Sequence, residues 1–348
     1  MALIYAMLAA FLFSLSIPLG KLLLGKLAPL EMSAFCYLGG ALGIFCWRIV
    51  SPGASALGGR LAGEDLKWVA AFTFFGGVAA PLFLFEGLSL SPSSRTALML
   101  NFELVFTSLI AVILFKERGG RRLWAAVALV TAGAFSLGLD GGGAPEAGKG
   151  LILVILASLA WALDNNFTAR VSAKDPLTLA AIKGVAGGAV NLALALAVYG
   201  RVAPAVPAIL ALALGAFSYG ASLVFLIFAM RELGAARAGA FFGVYPFMGA
   251  LAGLLFLSEP LNAGFIAAFI FTAAGAALLA GECHSHRHIH AATQHEHAHL
   301  HDAHHNHHQG DADSPSWHSH RHAHSPLSHE HGHIHDEHHP HGHNQVIK

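Results

Sequence analysis

The sequence predicts an all-α integral membrane protein, with ten transmembrane helices arranged as two inverted five-helix repeats and a disordered tail behind them. Three observations carry this expectation. Of the 348 residues, 55% are hydrophobic and only 11% are charged, against about a quarter charged in a soluble globular chain. Apolar runs close to the roughly 20 residues needed to cross a bilayer recur along residues 1–281. All 24 histidines lie between His284 and His343, so two chemically different polymers meet near residue 282.

The apolar runs cover about 2–20, 32–47, 68–89, 96–115, 123–139, 150–169, 177–199, 205–230, 238–258 and 261–281. Helix is the forced choice, because lipid offers no partner to an open strand edge. The runs are also too continuous for barrel strands, which alternate apolar and polar over about ten residues. The first run has no basic segment before it and no A-x-A cleavage pattern, and reads as a retained helix.

Lys and Arg in the connecting segments set the orientation. With the N-terminus inside, the cytoplasmic loops hold Arg48, Arg60, Lys67, Lys116, Arg118, Arg121, Arg122, Arg170, Lys174, Arg231 and Arg237. The opposite loops hold only Lys21, Lys26, Arg95, Lys149 and Arg201. The bias predicts both termini in the cytoplasm of a cell inner (plasma) membrane.

The chain repeats itself. KLAPLEMSAF (26–35) resembles AKDPLTLAAI (173–182) at an offset of 147, and VTAGAF (130–135) resembles TAAGAA (272–277) at 142. FKER (115–118) and LSEP (257–260) share that second offset. Five helices per repeat turn the second copy upside down, which places a substrate site near the midplane between the copies. The expected organisation is 1–140, 141–281 and a tail at 282–348.

The second half contains VYPFMGALAGLLFLSEPLNAGFIAAFIFTAAGA, with Pro246 and Glu259, and the first contains LNFELVFTSLIAVILFKERGGRRLWAAVALVTAGA, with Glu103 and Glu117. A helix with a central Pro, an apolar run, an acidic residue and then a Gly-bearing helix resembles the EamA-type members of the drug/metabolite transporter superfamily. The resemblance covers residues 1–281 and departs from the pattern at Leu104, where family members often carry Pro. It implies ten helices and transport of small molecules as different as amino acids, purine-related metabolites, drugs and sugar nucleotides.

Ionisable groups inside hydrocarbon cost about 2.5–3.5 kcal/mol on insertion scales, so each is a functional candidate. Four stand out: Glu86 late in the third run, Glu103 in the fourth, Asp164 in the sixth and Lys183 in the seventh. Glu103 could bind a proton or a cationic substrate, or could be a carboxylate satisfied by Lys183 or nearby hydroxyls. Asn101 lies two residues before it, on a different helix face. Asp164, Asn165 and Asn166 form a polar triplet, and Asn165 matches Pro18 at the 147 offset. Both features should disturb their helices at one depth, as in discontinuous transporter helices; alternatively the triplet marks a helix end. Tyr219, Ser218, Ser222 and Tyr245 could line a cavity or bond across helices. Glu117 and Glu259 each precede a helix and suit capping of its free N–H groups.

Gly39/Gly43, Gly184/Gly188, Gly239/Gly243 and Gly249/Gly253 have GxxxG spacing, which suits close packing within a chain or in a homodimer. Cys36 and Cys46 read as small buried apolar residues, and no CxxC occurs. With no histidine before residue 284 and no Walker loop, no catalytic set forms in the apolar part and the chain does not read as an enzyme; nothing points to nucleic acid.

The tail is acidic, with 8 Asp+Glu against 3 Lys+Arg in 281–348. It lacks apolar periodicity and cannot bury enough surface to offset chain entropy. Neutral imidazole is a ligand for Zn, Ni and Co. The sequence offers His284, His286, His288, His290, His295, His297, His299, His301, His304, His305, His307 and His308 as a first cluster of metal ligands. Two H-E-x-x-H strings, at 295–299 and 329–333, lack the stable helix that a zinc protease needs. The tail could equally respond to pH, becoming cationic below about 6.5. The expectation is a secondary transporter, exporting a small organic metabolite and carrying a metal-binding tail. The competing readings are a Ni, Co or Zn exporter with the tail as collector, and a membrane protein that senses or buffers metal. No cofactor is expected beyond a tail-bound metal.

Overall fold

The computed structural model describes residues 1–51, 61–114, 120–139, 145–171, 174–233 and 235–280, and 284–290, 293–299, 318–324 and 327–333 of the tail. Among these the helices fall into ten runs. They are α1 (Ala2–Leu23), α2 (Pro29–Val50), α3 (Gly63–Leu90), α4 (Ser93–Leu114), α5 (Arg121–Leu139), α6 (Pro145–Ala169), α7 (Pro176–Tyr199), α8 (205–233), α9 (235–256) and α10 (Ala263–Ala280). Seven of them, α1–α4 and α6–α8, are long and apolar enough to cross a membrane, while α9 and α10 hold shorter apolar helices, Tyr245–Phe256 and Ala263–Leu278. Many large apolar side chains point away from the core, among them Ile113, Phe135, Ile209 and Leu255. That is the arrangement expected where the surrounding solvent is lipid.

The neighbours reflect the repeat. α2 packs on α7, α4 on α9 and α5 on α10, while α3 packs on α6 as α8 packs on α1. Exchanging the first five helices for the last five returns the same set of pairs. Backbones approach closely where glycine allows it: a Cβ at Gly215 would lie 2.0 Å from the Cys36 carbonyl oxygen, and one at Gly39 would lie 2.1 Å from that of Leu212. Gly184 and Gly188 sit against α2 in the same way, and Gly253 against Ser94. Gly239 departs from the expected packing role, because a Cβ there meets nothing within 4 Å.

The helices are interrupted in matching places. A π-helical stretch occurs at Thr73–Ala79 in α3 and another at Ala216–Ala221 in α8. α4 breaks at Leu100–Asn101 and α9 at Gly243–Val244, within one residue of the 142 offset. Pro246 follows the α9 break; at the α4 break the Leu98 carbonyl accepts from both the side-chain amide and the backbone N–H of Asn101, at 2.8 and 3.2 Å. α1 is interrupted at Leu15, where Ser14 and Ser16 donate to the Phe11 and Phe13 carbonyls. The expected partner break in α6 is absent: that helix runs unbroken through Asp164–Asn166 to Ala169. Its polar side chains find partners on other helices, Asn165 and Asn166 on α4 and Asp164 on α7, and the one local backbone bond, from Asn166 to the Ala162 carbonyl, leaves the helix unbroken.

α2 and α7 run antiparallel and are clasped at both ends. At the Tyr199 end, Glu31 accepts from the Ala28 N–H at 2.8 Å and pairs with Arg201 at 3.2 Å. At the Val50 end, Asp175 accepts from the Leu177 N–H, and Arg48 bonds both Asp175 and Thr178. Each acid stands at the start of one helix and each arginine at or just beyond the end of the other, which suits both helix dipoles.

In the tail, 284–290 pairs antiparallel with 327–333 and 293–299 with 318–324. Alternation of histidine with other residues has the two-residue period of an extended chain. The rest of the tail, including His301, His304, His305, His307 and His308, lies outside the described residues, as does Glu117.

Candidate substrate cavity

A cavity of about 240 Å³ lies between the repeats. Its floor is at mid-bundle, where α4 breaks and α3 and α8 carry their π stretches. From there it runs toward the Val50 end, lined by Ile44, Ala180, Leu223 and Leu226.

Six of the residues singled out in the sequence as site candidates line it: Glu103, Asn165, Lys183, Tyr219, Ser222 and Tyr245. The break in α4 puts Glu103 in the first turn of the helix that follows, Phe102–Leu114. Its carboxylate accepts from the Asn165 amide at 2.9 Å and from the Tyr245 hydroxyl at 3.1 Å. Among the described residues no lysine or arginine forms an ion pair with it. Lys183 instead pairs with Asp164, at 2.8 and 2.6 Å from its two oxygens. Asp164 is buried behind the cavity wall, takes a further bond from Thr168, and rests on Gly76, where any Cβ would collide with it.

Two expected site residues fall elsewhere. Asn101 is buried at the α4 break and serves the backbone, as described above. Glu86 is exposed near the Tyr199 end of α3, and both residues are outside the lining. Glu86 lies in the last turn and a half of its helix, too close to the end to reach mid-bundle. Glu259 does cap N–H groups, but not those of α10, which it precedes. It accepts from Ser93 and Ser94 at the start of α4, at 2.6 and 2.8 Å. Beside it, the Lys21 ammonium donates to the carbonyls of Leu88, Ser89 and Ser91 at the end of α3. At the Tyr199 end a cation and an anion thus stand side by side, each on a helix terminus of matching polarity.

Part of the remaining lining is aromatic, and the sequence reading had not assembled it. Phe13 meets Tyr245 at 4.7 Å, Tyr219 at 5.4 Å and Phe242 at 5.4 Å, and Tyr37 meets Tyr219 at 5.4 Å. Trp161 donates from Nε1 to the Tyr37 hydroxyl at 3.3 Å, which in turn donates to the Gly76 carbonyl at 2.5 Å in the π stretch of α3. Asn191 holds the next carbonyl, Gly77, at 3.2 Å. Trp161 could have been found, since it stands three residues before Asp164. Tyr37 and Phe13 carry no local signal in runs this apolar.

The arrangement can hold a small, partly apolar molecule against rings while one carboxylate and one paired ammonium reach it. It offers no nucleophile–base pair, and among the described residues no group of three or more His, Cys, Asp or Glu stands close enough to hold a metal ion.

An "Uncharacterized transporter" of Methanothermobacter thermautotrophicus is 27% identical over 271 residues, covering 73% of this chain and 78% of that one. A solved crystal structure with 19% identity superposes on 80% of this chain and 97% of its own with a TM-score of 0.58, which speaks to the fold alone. The EamA-like transporter family matches residues 1–139 and again 148–281. The chain belongs to the EamA-like transporter family.

Proposed function

We propose that the protein is a secondary transporter that exports a small organic metabolite by alternating access through the cavity between its repeats. The single observation that carries this is Glu103. It is a carboxylate at mid-bundle, at a helix break, held by donors from α6 and α9 and facing a cavity. At about 240 Å³ the cavity is below the roughly 300–1,000 Å³ usual for drug-sized ligands, which favours a small metabolite over a sugar nucleotide. With all ten runs in the membrane and both termini in the cytoplasm, the Val50 end is the cytoplasmic end. The cavity then faces the side from which an exporter loads, and the Lys21 and Glu259 caps close the other. The matched breaks of α4 and α9 and the matched π stretches of α3 and α8 are places where two related halves can exchange conformations.

The test is transport by purified protein in proteoliposomes. Glu103→Gln keeps the size of the side chain, removes its charge and should lower uptake of the substrate about tenfold or more. Full transport by a correctly inserted Glu103→Gln protein would sink the reading.

The histidine tail supports an added role: binding of Zn, Ni or Co ions by paired imidazoles. A tail that collects metal for export is less well supported, because the cavity lining contains one carboxylate and no imidazole or thiolate. The better reading is a tail that buffers or senses metal beside an organic transporter. Deleting 284–348 separates these: metal resistance is lost with metabolite efflux intact if the tail buffers, and metal efflux itself is lost if it collects.

A further inference from the structure

We infer that the substrate is a small organic monocation, an ammonium group carried on an apolar or aromatic body. The inference rests on the reading of this cavity as the transport site and deepens it. The charge balance points there. The three ionisable groups at the site are Glu103, Asp164 and Lys183. Lys183 is already engaged by both oxygens of Asp164, so that pair is internally neutral. Glu103 receives only neutral donors, the Asn165 amide and the Tyr245 hydroxyl. With all three groups ionised, the site is one positive charge short of neutrality. A half-buried carboxylate in that state, set in a lining that is mostly apolar and aromatic, favours a cation over a neutral or anionic group.

The lining answers the other half of the ligand. Phe13, Tyr37, Trp161, Tyr219, Phe242 and Tyr245 all border the cavity. Phe13 touches three of the other rings and Tyr37 touches Tyr219, so the rings form a continuous surface around the carboxylate. Aromatic faces attract cations through their quadrupole, by about 2 kcal/mol or more when desolvated, and cages of such rings recognise ammonium ligands. An anion would have to share the Lys183 ammonium with Asp164 and would add a second uncompensated negative charge beside Glu103. A zwitterion would add its carboxylate at the same cost. A neutral ligand would leave Glu103 uncompensated.

The experiment is calorimetric binding to the full-length protein in nanodiscs, with five probes: benzylamine, tetramethylammonium, benzoate, benzyl alcohol and phenylalanine. Benzylamine and tetramethylammonium should bind, with benzoate, benzyl alcohol and phenylalanine about thirtyfold weaker or more. Glu103→Gln should weaken the two cations by a similar factor. Phe242→Leu, which leaves the carboxylate and its donors in place, should weaken the cations several-fold and leave benzyl alcohol unchanged; it serves even if Glu103→Gln fails to fold. Preferred binding of benzoate or phenylalanine, abolished by Lys183→Ala, overturns the monocation while the cavity stands as the site. Cation binding that survives Glu103→Gln, Phe242→Leu and Tyr219→Ala overturns the monocation and the site together. No binding of either cation also overturns the monocation, and the Glu103→Gln transport assay then judges the site alone.

Discussion

Lys183 of α7 grips Asp164 of α6 with its ammonium 2.6 and 2.8 Å from the two carboxylate oxygens, and Gly76 of α3 leaves the space in which the pair sits. Three helices therefore meet on one ion pair beside the cavity. Lys183→Ala should destabilise the protein by about 3 kcal/mol, because it strands a buried charge. The double change Lys183→Met with Asp164→Leu should recover most of that loss. Thermal unfolding in detergent, arranged as a double-mutant cycle, measures both effects.

Glycine positions should separate sharply. Gly215→Ala places a methyl 2.0 Å from the Cys36 carbonyl and forces α8 away from α2; the expected cost is about 1–3 kcal/mol. Gly239→Ala meets nothing within 4 Å and should be neutral or stabilising, by about 0.5–1 kcal/mol, from helix propensity alone. The same unfolding assay distinguishes them. Equal effects at the two sites would count against the packing of α2 on α8.

Glu259 caps α4 from across the repeat boundary. Glu259→Ala frees the Ser93 and Ser94 N–H groups and should cost about 1–2 kcal/mol. It should also loosen the seal beside it. With Cys46 and Cys283 replaced by Ala, a cysteine at buried Thr96 should be protected from a membrane-impermeant thiol reagent added at the Tyr199 end. It should react several-fold faster once Glu259 is removed. Unchanged labelling would show that the cap holds one helix and seals nothing.

The two clasps of α2 and α7 should differ in strength. Arg201 is half-exposed, so its pair with Glu31 is screened, and Arg201→Ala should cost less than about 1 kcal/mol. Asp175 is buried, caps α7 and holds both Arg48 and Thr178; Asp175→Ala should cost about 2 kcal/mol or more.

How much of this was legible beforehand depended on the kind of signal. Helices in lipid announce themselves by length and apolarity, so the runs were found within a few residues of their observed ends. Charged groups in such runs are rare, and Glu103, Asp164 and Lys183 stood out for that reason. What could not be read was pairing. The sequence does not say that Lys183 faces Asp164 and not Glu103, because that depends on helix rotation. Glu86 misled because an acid a few residues inside an apolar run can still sit at its rim. The polar triplet at 164–166 misled because side chains that find partners on another helix need not break their own. The aromatic lining was hidden for the opposite reason: Phe13 and Tyr37 look like every other apolar residue until the helices are brought together.

A machine that rocks needs a part that does not. The pair of α2 and α7 is pinned at both tips by acid–arginine contacts and pressed together through Gly184 and Gly188 along its length, so in the proposed cycle it would serve as an axle. Labels placed at Pro29 and Tyr199, and at Val50 and Pro176, should keep constant separations through the transport cycle while α4 and α9 swing about them. Substrate binding would then do its mechanical work on the moving arms alone, and Lys183, mounted on the axle, would be the fixed point against which Glu103 is carried to and fro.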